Sequence, residues 1–188
     1  MDKQVQLALA KWPNVPHCYG WLGLDARGVW RMRDQHAQEL NLLGDKITNA
    51  ALCGFINRNY QADLEGRYFF QNGPQRVYVE LQATPYIARA DGQDGWVLHT
   101  GVTLDSCDVV WMMESGNLVL QSGSLLAQID DRDLAQAYES MQLHAQRASD
   151  EQLLAWLEQP QEGLSFTFHN RQITVRPTTL AALTSMVY

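Results

Sequence analysis

The chain has 188 residues, of which 46% are hydrophobic and 19% charged, a globular profile with enough length for one sizeable core or two small lobes. Its 14 Lys and Arg against 21 Asp and Glu give a formal charge of −7, which excludes the dense basic surface needed for broad phosphate-backbone binding and leaves room only for a local basic pocket. Cys18, Cys53 and Cys107 are too few and too scattered for a disulfide framework, the first residues lack an export signal, and no stretch approaches the roughly 18 apolar residues of a membrane span, so a cytoplasmic protein is expected.

Val5, Leu9 and Trp12 fall at helical spacing over Lys3–Trp12, and Pro13 and Pro16 end that helix. Tyr19–Leu24 and Val29–Met32 flank the turn-like Asp25–Gly28 and predict a hairpin, with Trp21 and Trp30 covering one face. After a polar stretch from Arg33 to Leu43, Gly44 and a capping Asp45 predict a helix over Asp45–Tyr60. Its stripe of Ile47, Ala51, Gly54 and Phe55 predicts burial, with small residues that let a neighbouring element approach closely.

From Arg67 the period becomes two. Arg67–Gln71 and Gln75–Leu81 flank Asn72-Gly73-Pro74, and Val77, Val79 and Leu81 alternate with Arg76, Tyr78 and Glu80. Further strands are predicted over Tyr86–Ala90, Trp96–Thr100, Asp108–Met113, Asn117–Gln121 and Leu125–Ile129; their short connections favour an antiparallel meander. The last third predicts a helix over Asp130–Gln146, a capping box at Ser149 and Gln152 opening a second helix, and a hairpin of Leu164–Phe168 with Gln172–Arg176. The fold class expected is α+β: a predominantly antiparallel sheet of short strands, a buried helix in the N-terminal half and C-terminal helices. A boundary near 61–66 would separate a hairpin-plus-helix unit, 1–64, from a β-rich lobe, 65–188, packed as one body.

Asn57, Arg58 and Asn59, with Arg67, Gln71, Asn72 and Arg76, form the least bland polar group. Arginine offers a rigid donor fork to a carboxylate or phosphate, and amides can complete such a site. The competing structural reading is a helix C-terminus whose carbonyls these side chains satisfy, followed by an ordinary hairpin. His17-Cys18 opens no metal motif, because no CxxC, HExxH or second close Cys/His pair accompanies it, and His36, His99, His144 and His169 could join only through the fold. Asp105-Ser106-Cys107-Asp108 holds a nucleophile beside acids with His99 upstream, but neither a GxSxG elbow nor a phosphate loop is present. Trp21, Trp30, Tyr68, Phe69, Phe70, Tyr78, Tyr86, Trp96 and Trp111 sit at strand-like positions and are expected in the core rather than stacked on bases.

The segments WPNVPHCYGWLGLDARGVWRMRD, GDKITNAALCGFINRNY and above all GRYFFQNGPQRVYVELQATPYI resemble an uncharacterised proteobacterial family, DUF2944/DUF2946, over most of residues 12–135. A fainter similarity is to DUF1285, carried by the order of hairpin, helix, Glu65-Gly-Arg-Tyr68 and Thr84-Pro85-Tyr86. That resemblance implies a small α/β N-terminal unit before a β-rich lobe, and neither family implies an activity, cofactor or metal. The preferred expectation is a non-enzymatic binding or regulatory protein that takes a small anion or a protein partner, with no nucleic acid and no membrane. The alternatives are an enzyme assembled from His17, Cys18, His99, Asp105 and Cys107, and a structural homodimer.

Overall fold

The computed structural model describes residues 1–93 and 95–187, with side chains for all of these but 184, 186 and 187. It is a mixed α+β fold with two large, mostly antiparallel sheets and six α-helices among the described residues. The chain divides into two compact units, Met1–Pro85 and Tyr86–Met186.

The first unit contains α1 (Lys3–Lys11), β1 (Cys18–Leu24), β2 (Trp30–Met32), α2 (Gln35–Glu39), β3 (Asp45–Lys46), α3 (Ala50–Arg58), β4 (Tyr60–Ala62), β5 (Tyr68–Asn72) and β6 (Gln75–Leu81). The strands form one sheet in the order β3-β2-β1-β6-β5-β4. Both predicted hairpins are present. Asp25 closes the first turn by accepting the Arg27 and Val29 amides at 3.0 and 2.9 Å. Leu22, Leu24, Trp30, Ile56, Tyr60 and Phe70 are buried in this unit. Trp30 meets Tyr60 edge-on at 5.1 Å, and Phe55 of α3 meets Phe70 at 5.4 Å, so α3 covers the Trp30/Phe70 face of the sheet.

Several expectations are corrected here. Trp21 and Trp30 do not share a face: Leu24 pairs with Trp30, and Gly23 with Arg31, which sends Trp21 to the opposite side, where it is 47% exposed. Asp45 does not open the helix. Asp45–Lys46 pairs with Met32–Arg31, and the helix begins only after Asn49, whose side chain accepts the Leu52 amide at 3.0 Å. Gly44 makes the strand possible, since its φ is +80° and a Cβ there would lie 2.2 Å from the Met32 carbonyl oxygen. Nor is α3 a buried helix: Ile56 is its buried residue, and Ala50, Ala51 and Leu52 face outward. A Cβ on Gly54 would meet only Arg58 of the same helix, so the small residues admit no neighbouring element.

The second unit contains β7 (Tyr86–Ala90), β8 (Trp96–Leu98), β9 (Val109–Met113), β10 (Leu118–Ser122), β11 (Leu125–Ile129), a 3-10 turn (Asp131–Asp133), α4 (Leu134–Glu139), β12 (Met141–Leu143), β13 (Gln146–Arg147), α5 (Asp150–Glu158), β14 (Leu164–Phe168), β15 (Arg171–Thr178) and α6 (Leu180–Val187). Its sheet runs β13-β12-β14-β15-β9-β10-β11-β7-β8. Val110, Leu118, Leu120, Ile129, Met141, Trp156 and Phe166 belong to one buried core. The Ser149–Gln152 capping box opens α5 as its sequence predicts.

The helix expected over 130–146 is cut short. His144 and Ala145 take φ of +50° and +64° and turn β12 into β13, while Met141 pairs with Phe166; burying Met141 and Leu143 in the sheet outweighs the helical spacing. The single antiparallel meander is also corrected. The β1–β6, β7–β11 and β9–β15 neighbours are parallel, and residues 67–121 are shared between the two sheets. The division therefore falls at Pro85 rather than near 61–66: β6 pairs with β1, and β5 with both β4 and β6, which holds 65–81 in the first unit.

Candidate functional site

The arginine and amide group singled out in the sequence does not converge. Cross-strand pairing of Gln71 with Arg76 and of Phe69 with Tyr78 places Gln71 and Arg76 on one face of the β5–β6 hairpin, and Arg67 lies over the Tyr78 ring at 5.0 Å. Asn57, Arg58 and Asn59 belong to α3 and its C-cap, on the Phe70 side. Most of these side chains are already engaged. Asn57 accepts the Trp30 indole N–H at 2.7 Å, and Arg58 reaches Asp2 at 3.3 Å. Buried Asn59 accepts the Asp2 amide at 2.7 Å and donates to the Phe55 carbonyl at 2.9 Å. Arg67 binds Asp63 at 2.8 Å and Glu65 at 3.0 Å. Burial raises the Asp63 carboxyl, but hydrogen bonds from Arg67, Tyr78 and the local amides outweigh it and bring the group down to about 2. Arg76 lies over the Phe69 ring at 4.6 Å, Gln71 donates to the Gly73 carbonyl at 2.9 Å, and Asn72 stands exposed in the hairpin turn.

The residues offered for an enzyme are no better placed. His17 stacks edge-on to Tyr78 in the first unit, where Cys18 also lies, whereas His99, Asp105 and Cys107 belong to the second. Burial pushes the His99 imidazole down to about 4, and its Nδ1 accepts the Ile87 amide at 3.2 Å, so the ring is neutral at physiological pH. Burial pushes the Cys107 thiol up to about 12, which removes the thiolate a nucleophile needs. Among the described residues no cluster of three His, Cys, Asp or Glu could hold a metal.

A different constellation emerges at β2 and the turn after it. Arg31 and Arg33 alternate with Met32 and so project to the same side as Gly23. The Arg33 amide continues the ladder by bonding to the Trp21 carbonyl at 2.9 Å. Asp34 caps α2 by accepting the Ala37 amide at 2.8 Å. Five residues later the helix ends in a Schellman motif: Asn41 takes φ +51°, its amide bonds to Gln38, and the Leu42 amide bonds to Ala37. That cap turns the Asn41 side chain and Leu42 carbonyl back to Arg33, which they accept at 3.2 and 3.0 Å.

Arg33 is 7% exposed, yet among the described residues its hydrogen-bond partners are uncharged and it forms no ion pair. Arg31 is paired, with Asp25 at 2.7 Å. Both line a cavity of ≈ 360 Å³ with Gly23, Leu42, Leu43 and Glu80. A larger cavity of ≈ 610 Å³ in the second unit is lined by Trp156, Pro160, Glu162, Arg176 and Pro177, but its charged residues are exposed. In the sequence Arg33 opens an ordinary polar stretch. The signal that could have found it is the two-residue Arg31–Arg33 spacing at the end of a predicted strand.

The family DUF2944, described as a protein of unknown function (DUF2946), matches residues 1–186. The chain belongs to the DUF2944 family. This DUF2944 protein is similar in structure to a DUF1285 family protein from Silicibacter pomeroyi DSS-3, with a TM-score of 0.50 at 12% identity, over 94% of this chain and 89% of that one. A DUF1285 family protein from Shewanella baltica OS155 matches at a TM-score of 0.43 and 12% identity, over 62% of this chain and 88% of that one. The first likeness extends to the fold alone. No curated protein matches the DUF2944 chain. Both resemblances expected from the sequence are thus found, and neither brings an activity with it.

Proposed function

We propose that this DUF2944 protein is a non-enzymatic binding protein for a small anion, held in the cavity lined by Arg31 and Arg33. One observation carries the reading: Arg33 is a buried guanidinium whose protein partners are an amide oxygen and a carbonyl. A buried charge that lacks a counter-charge costs several kcal/mol per ion, and an anion in the adjoining cavity offsets that cost. Guanidinium is suited to the task, since its planar donors match carboxylate and phosphate geometry. The site is placed here rather than among Asn57–Arg76 because Arg58 and Arg67 already have carboxylate partners.

A cytoplasmic setting is part of the same reading, supported by three free cysteines and by the lack of a described helix long and apolar enough to cross a membrane. The test is a titration with phosphate, sulfate and short carboxylates, followed through the Arg33 Nε–H resonance and the midpoint of thermal unfolding. Binding should shift both in the native chain, and in Arg33→Met, which lacks that resonance, the unfolding midpoint should not move. A second reading, self-association, is supported by Leu40, Leu42 and Leu43, which are 58%, 48% and 44% exposed within one short stretch. Light scattering that stays at the monomer mass across concentration removes it.

A further inference from the structure

The cavity contains a group that a plain anion should avoid. Register aligns Glu80, Gly23 and Arg31 abreast on one face of β6, β1 and β2. Neighbouring strands stand about 4.8 Å apart, so the two charged residues rise about 10 Å from each other across a glycine. They do not neutralise one another: Arg31 pairs with Asp25, and among the described residues Glu80 has no ion pair or hydrogen bond through its side chain. Gly23 is the floor between them, where a Cβ would touch Arg33 Cδ at 3.4 Å, the Glu80 carbonyl oxygen at 3.5 Å and Arg31 Cβ at 3.6 Å. Gly23 does not take a positive φ, and a Cβ there would sit in ordinary van der Waals contact with all three atoms. Leu42 and Leu43 supply an apolar wall at the mouth.

We infer that the occupant is a small zwitterion of the α-amino-acid class, with its carboxylate on the Arg33 guanidinium, its ammonium toward Glu80 and an apolar side chain against Leu42 and Leu43. This rests on the anion-binding reading and adds the ammonium to it. Arg33 without a counter-charge and Glu80 without a partner line one cavity and together recognise a ligand that carries both charges, whereas a plain anion meets repulsion from Glu80. The ligand's ammonium also gives Glu80 the partner that the protein withholds.

Calorimetric titration of the whole chain with L-leucine, 4-methylpentanoate (leucine without its ammonium) and 3-methylbutylamine (leucine without its carboxylate) tests the inference. Leucine should bind about fivefold more tightly than 4-methylpentanoate, the size expected for a solvent-exposed ion pair at Glu80, and the amine should bind least. Glu80→Gln, an exposed substitution that leaves the fold intact, should erase the preference for leucine while 4-methylpentanoate binds at least as tightly as before. If 4-methylpentanoate matches leucine in the native chain, or the preference survives in Glu80→Gln, the zwitterion is overturned and the anion site stands. If leucine, 4-methylpentanoate and inorganic phosphate all fail to bind, both readings fall.

Discussion

Replacing Arg33 with methionine separates a poised charge from a structural pin. Methionine keeps much of the unbranched stem that runs past Gly23 and removes only the guanidinium. The loss side comprises two charge-assisted hydrogen bonds, to the Leu42 carbonyl and Asn41 Oδ1, each worth about 1.5–3 kcal/mol. Both acceptors sit on exposed residues, so water replaces the lost donors and little of that sum is forfeited. The gain side is the cost of holding an unpaired guanidinium away from water, several kcal/mol per ion. The gain exceeds the loss, and Arg33→Met should be at least as stable as the native chain in chemical denaturation. With a ligand at a hundred times its Kd, linkage adds about 2.7 kcal/mol to the native chain. For a chain of this size that is a rise in Tm of about 5–11 °C, and in Arg33→Met the rise should vanish. Two probes are needed, one in each unit, because two compact units need not unfold together. A loss of stability above about 4 kcal/mol without ligand would show that Arg33 holds the α2 turn in place, and a ligand-induced rise that persists in Arg33→Met would refute the site.

Gly23→Ala should leave stability unchanged or raise it by about 0.4–1 kcal/mol, through a less flexible unfolded chain, yet weaken ligand binding by filling the floor; unimpaired binding would count against the cavity. The Asp63 carboxyl sits at about 2 in the folded chain against 3.8 for the free group, so its contribution is full above the unfolded value and is lost as pH falls toward 2. Urea midpoints of native protein and Asp63→Asn between pH 5 and 2 should therefore converge at the acid end, and parallel curves would contradict the Asp63–Arg67 account. Cys107 should resist thiol reagents at pH 8 until the chain unfolds, while the half-buried Cys18 and Cys53 react first; mass spectrometry of modified peptides gives the order. His99 should titrate near 4 by imidazole nitrogen shifts, and a midpoint above about 6 would mean that the ring is solvated.

Local signals in the chain were reliable where they were also decisive. Asp25–Gly28 and Asn72–Gly73 specify their turns through side-chain and glycine chemistry that no distant contact opposes. The same is true of the Ser149–Gln152 cap. The reading failed where two local signals competed and tertiary pairing chose between them. Asp45 and Asn49 can both cap a helix; β2 recruits Asp45–Lys46 into the sheet and leaves the cap to Asn49. Leu134, Ala137, Tyr138 and Met141 keep helical spacing, but Met141 is more fully used opposite Phe166. Propensity could not rank these outcomes, because the partner strands lie far along the chain.

The candidate site was hidden for the same reason. Arg31 and Arg33 are legible as a pair two residues apart, but nothing local distinguishes them from the arginines at 58, 67 and 76, which the fold gives to Asp2, Asp63 and the Phe69 ring. Glu80 reads as the solvent side of an ordinary alternating strand. It becomes a neighbour of Gly23 only because β6 lies parallel to β1, a pairing that an antiparallel meander rules out. Parallel pairing needs a long crossover, and here that crossover contains the α2 turn that supplies Asn41, Leu42 and Leu43. The connection that makes β1 and β6 parallel thus also provides one wall of the cavity, so the strand order and the proposed site have a single physical origin.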